Sequence, residues 1–299
     1  MGGGRWTATD WNTYSTAKVA GKTTAQVFTS TNMKTEFDPA VIQFRESRDS
    51  ADNPRSRPII LGCDVTGSMG MVADTLIRGG INDLATDIQA EKEIGDPHVM
   101  VMAIGDAYSD KAPLQVTQFE ADIRIADQTS QLWIEKGGGI NGGESYPLAY
   151  LFAAKKIVAD AFKRGQKGFL FTIGDEPPVG VTAKQAKDFL GIDIPSDLSA
   201  AECAALALDR FETFHVILVN EGYSAAGGRE AVLRAWEKVL PQRLIILEDI
   251  TKLSEAVVAA IRIADGQSKA SASTSVVVAN AVRTLAERGK PSRGVARLT

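Results

Sequence analysis

A short apolar run, Ile59–Leu61, leads through Gly62 and Cys63 into Asp64, and two hydroxyls follow at alternate positions, Thr66 and Ser68, with Gly67 between them. A carboxylate and two hydroxyls at the end of a buried strand make an oxygen-only donor set. That set suits a hard divalent cation such as Mg²⁺, which takes few carboxylates and keeps part of its water. The same residues suit a simpler task. Thr and Ser ahead of the amphipathic stretch Met71–Lys92 can satisfy the free N–H groups of a helix start. Taken alone, the segment supports both readings.

More acids stand in loops after other apolar runs. Gly105-Asp106-Ala107-Tyr108-Ser109-Asp110 follows His98–Ile104, and Gly174-Asp175-Glu176-Pro177-Pro178 follows Gly168–Ile173. A glycine-rich stretch, Gly137–Gly143, runs into Glu144 and Ser145. In open α/β sheets the carboxyl ends of the strands share one rim, and ligands bind there. Carboxylates gathered on such a rim repel one another unless a cation joins them. Asp106 and Asp110 read as turn residues. The glycine run lacks the Gly-Lys-[Ser/Thr] ending of a nucleotide-binding loop. His98 and His215, the two histidines of the chain, each open a strand, and neither reads as catalytic.

The elements that must position these residues follow from the apolar pattern. Candidate strands are Ile59–Cys63, His98–Ile104, Gly168–Ile173, Val216–Asn220 and Leu244–Leu247. Helical patterns between them cover Met71–Lys92, Pro147–Arg164, Ala183–Leu190, Ala200–Phe211, Arg229–Leu240 and Leu253–Ala264. Near-continuous aliphatic strands separated by helices predict a three-layer, Rossmann-like α/β sandwich with a mostly parallel central sheet and helices on both faces. Residues 115–125 alternate apolar and polar over part of their length, as an antiparallel edge strand would.

Three zones organise the chain: an N-terminal extension (1–57), a main domain (58–266), and a linker, short helix and basic tail (267–299). Trp6, Trp11, Tyr14, Phe28, Phe37 and Phe44 are too many aromatics for a disordered leader, so the extension is expected to pack on the main domain or on a partner, including a second copy. Val276–Glu287 has the spacing of one more helix, and Arg288, Lys290, Arg293 and Arg297 read as a solvated tail.

The chain has 299 residues, 44% of them hydrophobic and 23% charged, with a formal net charge of −4. A pI near 5.4 gives no electrostatic reason to expect nucleic acid or an anionic membrane. No apolar run approaches the ~20 residues that span a bilayer, and no secretory h-region is visible at the N-terminus. Cys63 and Cys203 lie in apolar surroundings, without a metal-type spacing, and read as buried free thiols. A cytoplasmic location is the expectation.

Asp64-Val65-Thr66-Gly67-Ser68 closely resembles the D-x-[ST]-x-S motif that opens the metal-ion-dependent adhesion site of von Willebrand factor type A domains. Gly137-Gly138-Gly139 with Glu144, and Asp175 with Pro177 and Pro178, resemble two further motifs of the intracellular branch, in the same order. The resemblance spans roughly residues 58–265. It implies a Mg²⁺ site (Ca²⁺ or Mn²⁺ as alternatives) held by Asp64, Thr66, Ser68 and Asp175. Glu144, Ser145 or water would stand in for the middle-loop threonine, because Gly139 occupies that place. It also implies a binding module without enzymatic activity, which captures the Asp or Glu of a protein partner such as an AAA+ ATPase or another subunit of an intracellular assembly. Two other classes stay open: a Mg²⁺-dependent hydrolase or phosphatase using Asp64 as acceptor, and a structural subunit with a lapsed site. The first lacks a second acid two residues on, where Thr66 stands.

Overall fold

The five aliphatic segments become the parallel strands of one sheet. We describe a computed structural model of the chain at residues 4–67, 69–90, 94–135, 137 and 142–266. Its strands are β1 (Arg45–Ser47), β2 (Ser56–Asp64), β3 (Asp96–Ile104), β4 (Leu114–Val116), β5 (Ile157–Ala159), β6 (Gly168–Gly174), β7 (Phe211–Leu218) and β8 (Leu244–Leu247). Six of them form the main sheet in the order β4-β3-β2-β6-β7-β8, and β1 pairs with β5 in a separate two-stranded ribbon. All pairings in the main sheet are parallel except β3 with β4, at one edge. The expected α/β architecture, with a mostly parallel sheet and one antiparallel edge, is therefore the observed one.

The order of strands fixes where a ligand can enter. From β2 the chain moves outward to β3, then returns across the sheet to β6 and continues outward through β7 and β8. The direction of winding reverses between β2 and β6, which opens a crevice at their carboxyl ends. Asp64 is the last residue of β2, and Asp175 is the first after β6. The centre of the sheet is dry: every residue of β2 and of β6 is buried.

Four elements differ from the sequence pattern, each for a local reason. The helix expected over Met71–Lys92 runs as Gly70–Thr75, a widened turn at Leu76–Gly80 and Ile81–Ala90, because the Gly79-Gly80 pair breaks it; Glu91 and Lys92 lie outside the described residues. The helix expected over Pro147–Arg164 stops at Lys156. There the β-branched pair Ile157-Val158 finds an extended partner in β1, and helix resumes only at Asp160–Lys163. Of the alternating 115–125 stretch, only Gln115 and Val116 lie in a strand, Leu114–Val116, and Glu120 adds a single antiparallel bridge to Val99. Asp122 ends that stretch by accepting the Arg124 N–H with Oδ1 (3.0 Å) at the start of helix Arg124–Thr129. The strand expected at Val216–Asn220 ends at Leu218 and begins earlier, as β7, which takes over at Phe211 from the helix expected to reach it.

Residues 4–55 fold against the main domain within the same chain. Trp6 Nε1 donates to Asn82 Oδ1 (3.1 Å), the Tyr14 hydroxyl to the Ala126 carbonyl (2.9 Å) and Ser30 Oγ to the Gln131 carbonyl (2.7 Å). Trp6, Trp11, Phe28 and Phe37 are buried, while Phe44 stays exposed. A buried lysine latches the segment: Lys156 Nζ donates to the carbonyls of Pro39 (2.8 Å) and Ile42 (2.5 Å). Hydrogen bonds from a charged donor are worth about 1.5–3 kcal/mol. We therefore expect Lys156→Ala to lower stability by about that amount and to speed proteolysis within residues 38–47. Urea unfolding and limited proteolysis check this, and unchanged values in both would contradict the latch.

Candidate functional site

Asp64 ends β2 with its side chain turned into the crevice and wholly buried. Its Oδ1 accepts from the Thr66 N–H (2.9 Å) and the Thr66 hydroxyl (2.7 Å), and its Oδ2 accepts from the Tyr146 hydroxyl (2.7 Å). These bonds favour the charged form, yet burial outweighs them and pushes the carboxyl above its usual range, with Asp175 adding to the shift. Tyr146 reaches Asp64 because Gly174 lets it pass. A Cβ on Gly174 would stand 2.0 Å from the tyrosine oxygen.

Glu144 is the unusual member. Its backbone is pinned to the loop after β6, with Glu144 N–H on the Pro177 carbonyl (2.9 Å) and Val179 N–H on the Glu144 carbonyl (3.1 Å). Its side chain is fully buried, and neither carboxylate oxygen has a hydrogen-bond partner. The Thr66 hydroxyl nearby gives its proton to Asp64 instead. Desolvation, then the charges of Asp64, Glu176 and Asp106, drive the Glu144 carboxyl well above the usual carboxylate range.

Asp175 Oδ2 accepts from the Tyr223 N–H and the Ser224 N–H, and Ser224 Oγ donates to the Asp175 carbonyl (2.8 Å). Both N–H groups belong to the turn that begins the run into helix Arg229–Val239. The carboxyl of Asp175 is nonetheless raised, chiefly by burial. Glu176 beside it is raised by burial and by Asp175 and Asp106, and its Oε2 is buried without a partner. Asp106 and Asp110 behave as the turn residues expected. Asp106 accepts from the Tyr108 N–H (3.0 Å) and Ser109 Oγ (3.1 Å), and Asp110 accepts from the Asp106 N–H (2.9 Å). Ser145 Oγ accepts from the Ala107 N–H (2.9 Å).

The structure thus brings Asp64, Thr66, Glu144 and Asp175 to one rim; Ser68 and Gly139 lie outside the described residues. Three residues that sequence reading passed over also matter here. Tyr146 supplies a buried donor, Glu176 a second unpartnered carboxylate oxygen, and Trp236 ties the two sides together. The Trp236 Nε1 donates to the Glu176 carbonyl (2.9 Å), and its ring stacks on His215 at 3.5 Å between centroids. His215 in turn meets the Tyr146 ring edge-on at 5.0 Å and bonds Thr172 Oγ1 through Nδ1 (2.9 Å). Burial lowers the pKa of both histidines, and Ser47 Oγ takes the same place beside His98 Nδ1 (3.1 Å). Cys63 and Cys203 are buried free thiols.

Among the described residues, no three His, Cys, Asp or Glu side chains converge closely enough to grip an ion by themselves. Mg²⁺ needs only one or two carboxylates, with hydroxyls and water completing six oxygens. Asp64, the unpartnered oxygens of Glu144 and the Thr66 hydroxyl fit that demand better than they fit the larger carboxylate shell of Ca²⁺. An ion held there would offer charge to a rim that otherwise has to take up protons.

The site and fold define a doubly wound α/β domain with an acid-lined switch-point crevice. No family model matches the chain, and no curated protein does. Two crystal structures of the pilus adhesin SpaC from Lactobacillus rhamnosus GG are similar in fold. An open conformation gives a TM-score of 0.48 at 14% identity, and a second form gives 0.47 at 13%. Each match covers 73% of this chain and 31% of SpaC, so the chain spans less than a third of the adhesin's length. With no family model and no curated protein matching, the assignment to the intracellular von Willebrand type A branch is not upheld. The physical reason is visible at the motif itself: Thr66 closes a local turn on Asp64, a task that gives Asp-x-Thr at a strand end a cause independent of any family. The cytoplasmic expectation is not upheld either, because two buried free thiols are compatible with any compartment. No helix among the described residues is long and apolar enough to cross a membrane.

The buried acids carry a pH signature. A carboxyl whose pKa is raised by folding binds its proton more tightly in the folded chain, so its stabilising contribution is complete below the ordinary carboxylate range and is lost as pH climbs through the raised value. The two buried histidines act oppositely, but only below about pH 6.5. In EDTA, the melting temperature is expected to fall between about pH 7 and about pH 9, and Glu144→Gln should flatten the fall. A melting temperature that rises over this interval, or a variant with the wild-type slope, would contradict the assignment.

Proposed function

We propose that the rim is a metal-dependent protein-interaction site, in which one Mg²⁺ sits between Asp64 and Glu144 and leaves a position open for an Asp or Glu of a protein partner. The observation that carries this reading is Glu144: wholly buried, beside another carboxylate, with both oxygens unpartnered. Burying an ionised carboxylate without compensation costs several kcal/mol. A divalent ion removes that cost and can still attract a further carboxylate, because two protein charges only neutralise it and water fills its remaining sites. Thr66 and the Ser68 hydroxyl complete the donor set in this reading, and Asp175 acts from the far side of the crevice, directly or through water.

A binding role is preferred to catalysis on the same geometry. The residue two places beyond Asp64 is Thr66, whose proton is already given to Asp64, so no acid stands there to protonate a leaving group. Mg²⁺ at about one hundred times its dissociation constant should add about 2.7 kcal/mol. For a domain of this size that is a rise in melting temperature of roughly 5–10 °C at pH 8, reversed by EDTA. Asp64→Asn and Glu144→Gln should each abolish the rise while leaving the metal-free protein folded. Equal Mg²⁺ shifts in the wild type and both variants would rule out the site.

A further inference from the structure

We propose that the partner is an extended peptide segment carrying its Asp or Glu with one apolar side chain two residues before it and another two residues after. The inference rests on the cation-bridged reading and adds what recognises the flanks. One carboxylate on one Mg²⁺ would accept any acid, so selectivity has to come from the walls of the crevice.

Four large apolar side chains are exposed among the described residues: Val41, Phe44, Tyr108 and Tyr223. Two of the four stand on loops that wrap rim carboxylates with their own backbone. Tyr108 is 61% exposed, and its N–H holds Asp106. Tyr223 is 39% exposed, and its N–H holds Asp175. Aromatic rings with a polar tip, left in water on loops that hold acidic side chains, are the side chains that protein interfaces favour.

Strand order fixes their separation. Tyr108 follows β3, the neighbour of β2 on one side, and Tyr223 follows β7, two strands from β2 on the other. At about 4.8 Å per strand, the loop roots stand ~14 Å apart, with Asp64 between them at ~5 Å from one and ~10 Å from the other. An extended chain laid across these strand ends advances about 3.3 Å per residue and turns alternate side chains to the same face. Residues two before and two after a central acid then face the rim with it, roughly 6.6 Å to either side, within reach of a tyrosine ring. The Tyr223 ring is seated rather than free to swing: it lies so close over Gly228 that a Cβ there would come within 2.2 Å of it. A pre-set ring loses less freedom when a partner covers it.

The test uses the full chain with saturating Mg²⁺ and labelled peptides followed by fluorescence anisotropy. The first is Gly-Leu-Gly-Asp-Gly-Leu-Gly. A second moves both leucines next to the aspartate, a third replaces them by glycine, and a fourth replaces aspartate by asparagine in the first. The first peptide should bind at least about tenfold tighter than the other three. Tyr108→Ala and Tyr223→Ala should each erode that preference while keeping the wild-type Mg²⁺ melting shift. Equal affinity for all leucine arrangements, or a preference untouched by the tyrosine variants, would overturn the inference and leave the cation site standing. A wild-type chain with no Mg²⁺ shift would overturn both.

Discussion

Two carboxylates share a dry pocket, and the rest of the rim is arranged around that difficulty. Asp64 is satisfied by three donors, whereas Glu144 faces the same space with none. A pair of acids in such surroundings has two routes to neutrality: it takes up protons, or it binds a cation. The raised pKa values of Asp64, Glu144, Asp175 and Glu176 express the first route. The proposed function follows from the second. In the proposed reading the two routes compete for the same oxygens, so metal binding would be coupled to pH through identifiable side chains.

The acids are held by a scaffold that crosses the sheet rather than by their own loops alone. Tyr146 takes Asp64 from the first turn of helix Tyr146–Lys156, passing over Gly174 at the end of β6. Behind it, His215 and Trp236 stack, and Trp236 bonds the Glu176 carbonyl. The turn that leads into Trp236's helix supplies the two N–H groups on Asp175. One helix, Arg229–Val239, therefore holds the Asp175–Glu176 loop twice, through its leading turn and through its one tryptophan. Such a link holds the donor positions steady, which a metal site requires of its supporting residues. Close packing of fully buried aromatics leaves little slack for one loop to move without the other.

Much of this was legible in the sequence where the cause is local. The aliphatic runs of β2, β3, β6 and β8 declare buried parallel strands, and an acid placed after the first and third of them marks the rim without any model of the fold. Boundaries went astray where a distant segment decides. Ile157-Val158 turns into a strand only because Arg45–Ser47 lies beside it, some 110 residues earlier. Glu144 drew attention through the glycine run before it, but its burial with both carboxylate oxygens unpartnered is a tertiary fact, set by Pro177 and Val179 pinning its backbone. Tyr146, Glu176 and Trp236 sat in plain view as core or loop residues. Their roles depend on contacts across 60 to 82 residues that no short-range pattern encodes. The Asp-x-Thr motif could not by itself decide the family, since a local turn and a metal loop ask for the same residues.

The central claim is that a cation and protons contend for the buried Asp64–Glu144 pair. Isothermal titration of Mg²⁺ into the metal-free chain at one pH near neutrality, repeated in two buffers of different ionisation enthalpy, measures it directly. The account predicts apparent binding heats that differ between the buffers by the number of protons released, up to two per Mg²⁺ bound, multiplied by the difference in buffer ionisation enthalpy, and no binding heat with Glu144→Gln. Binding whose heat is the same in both buffers would mean that the ion sits elsewhere, and the account would fail.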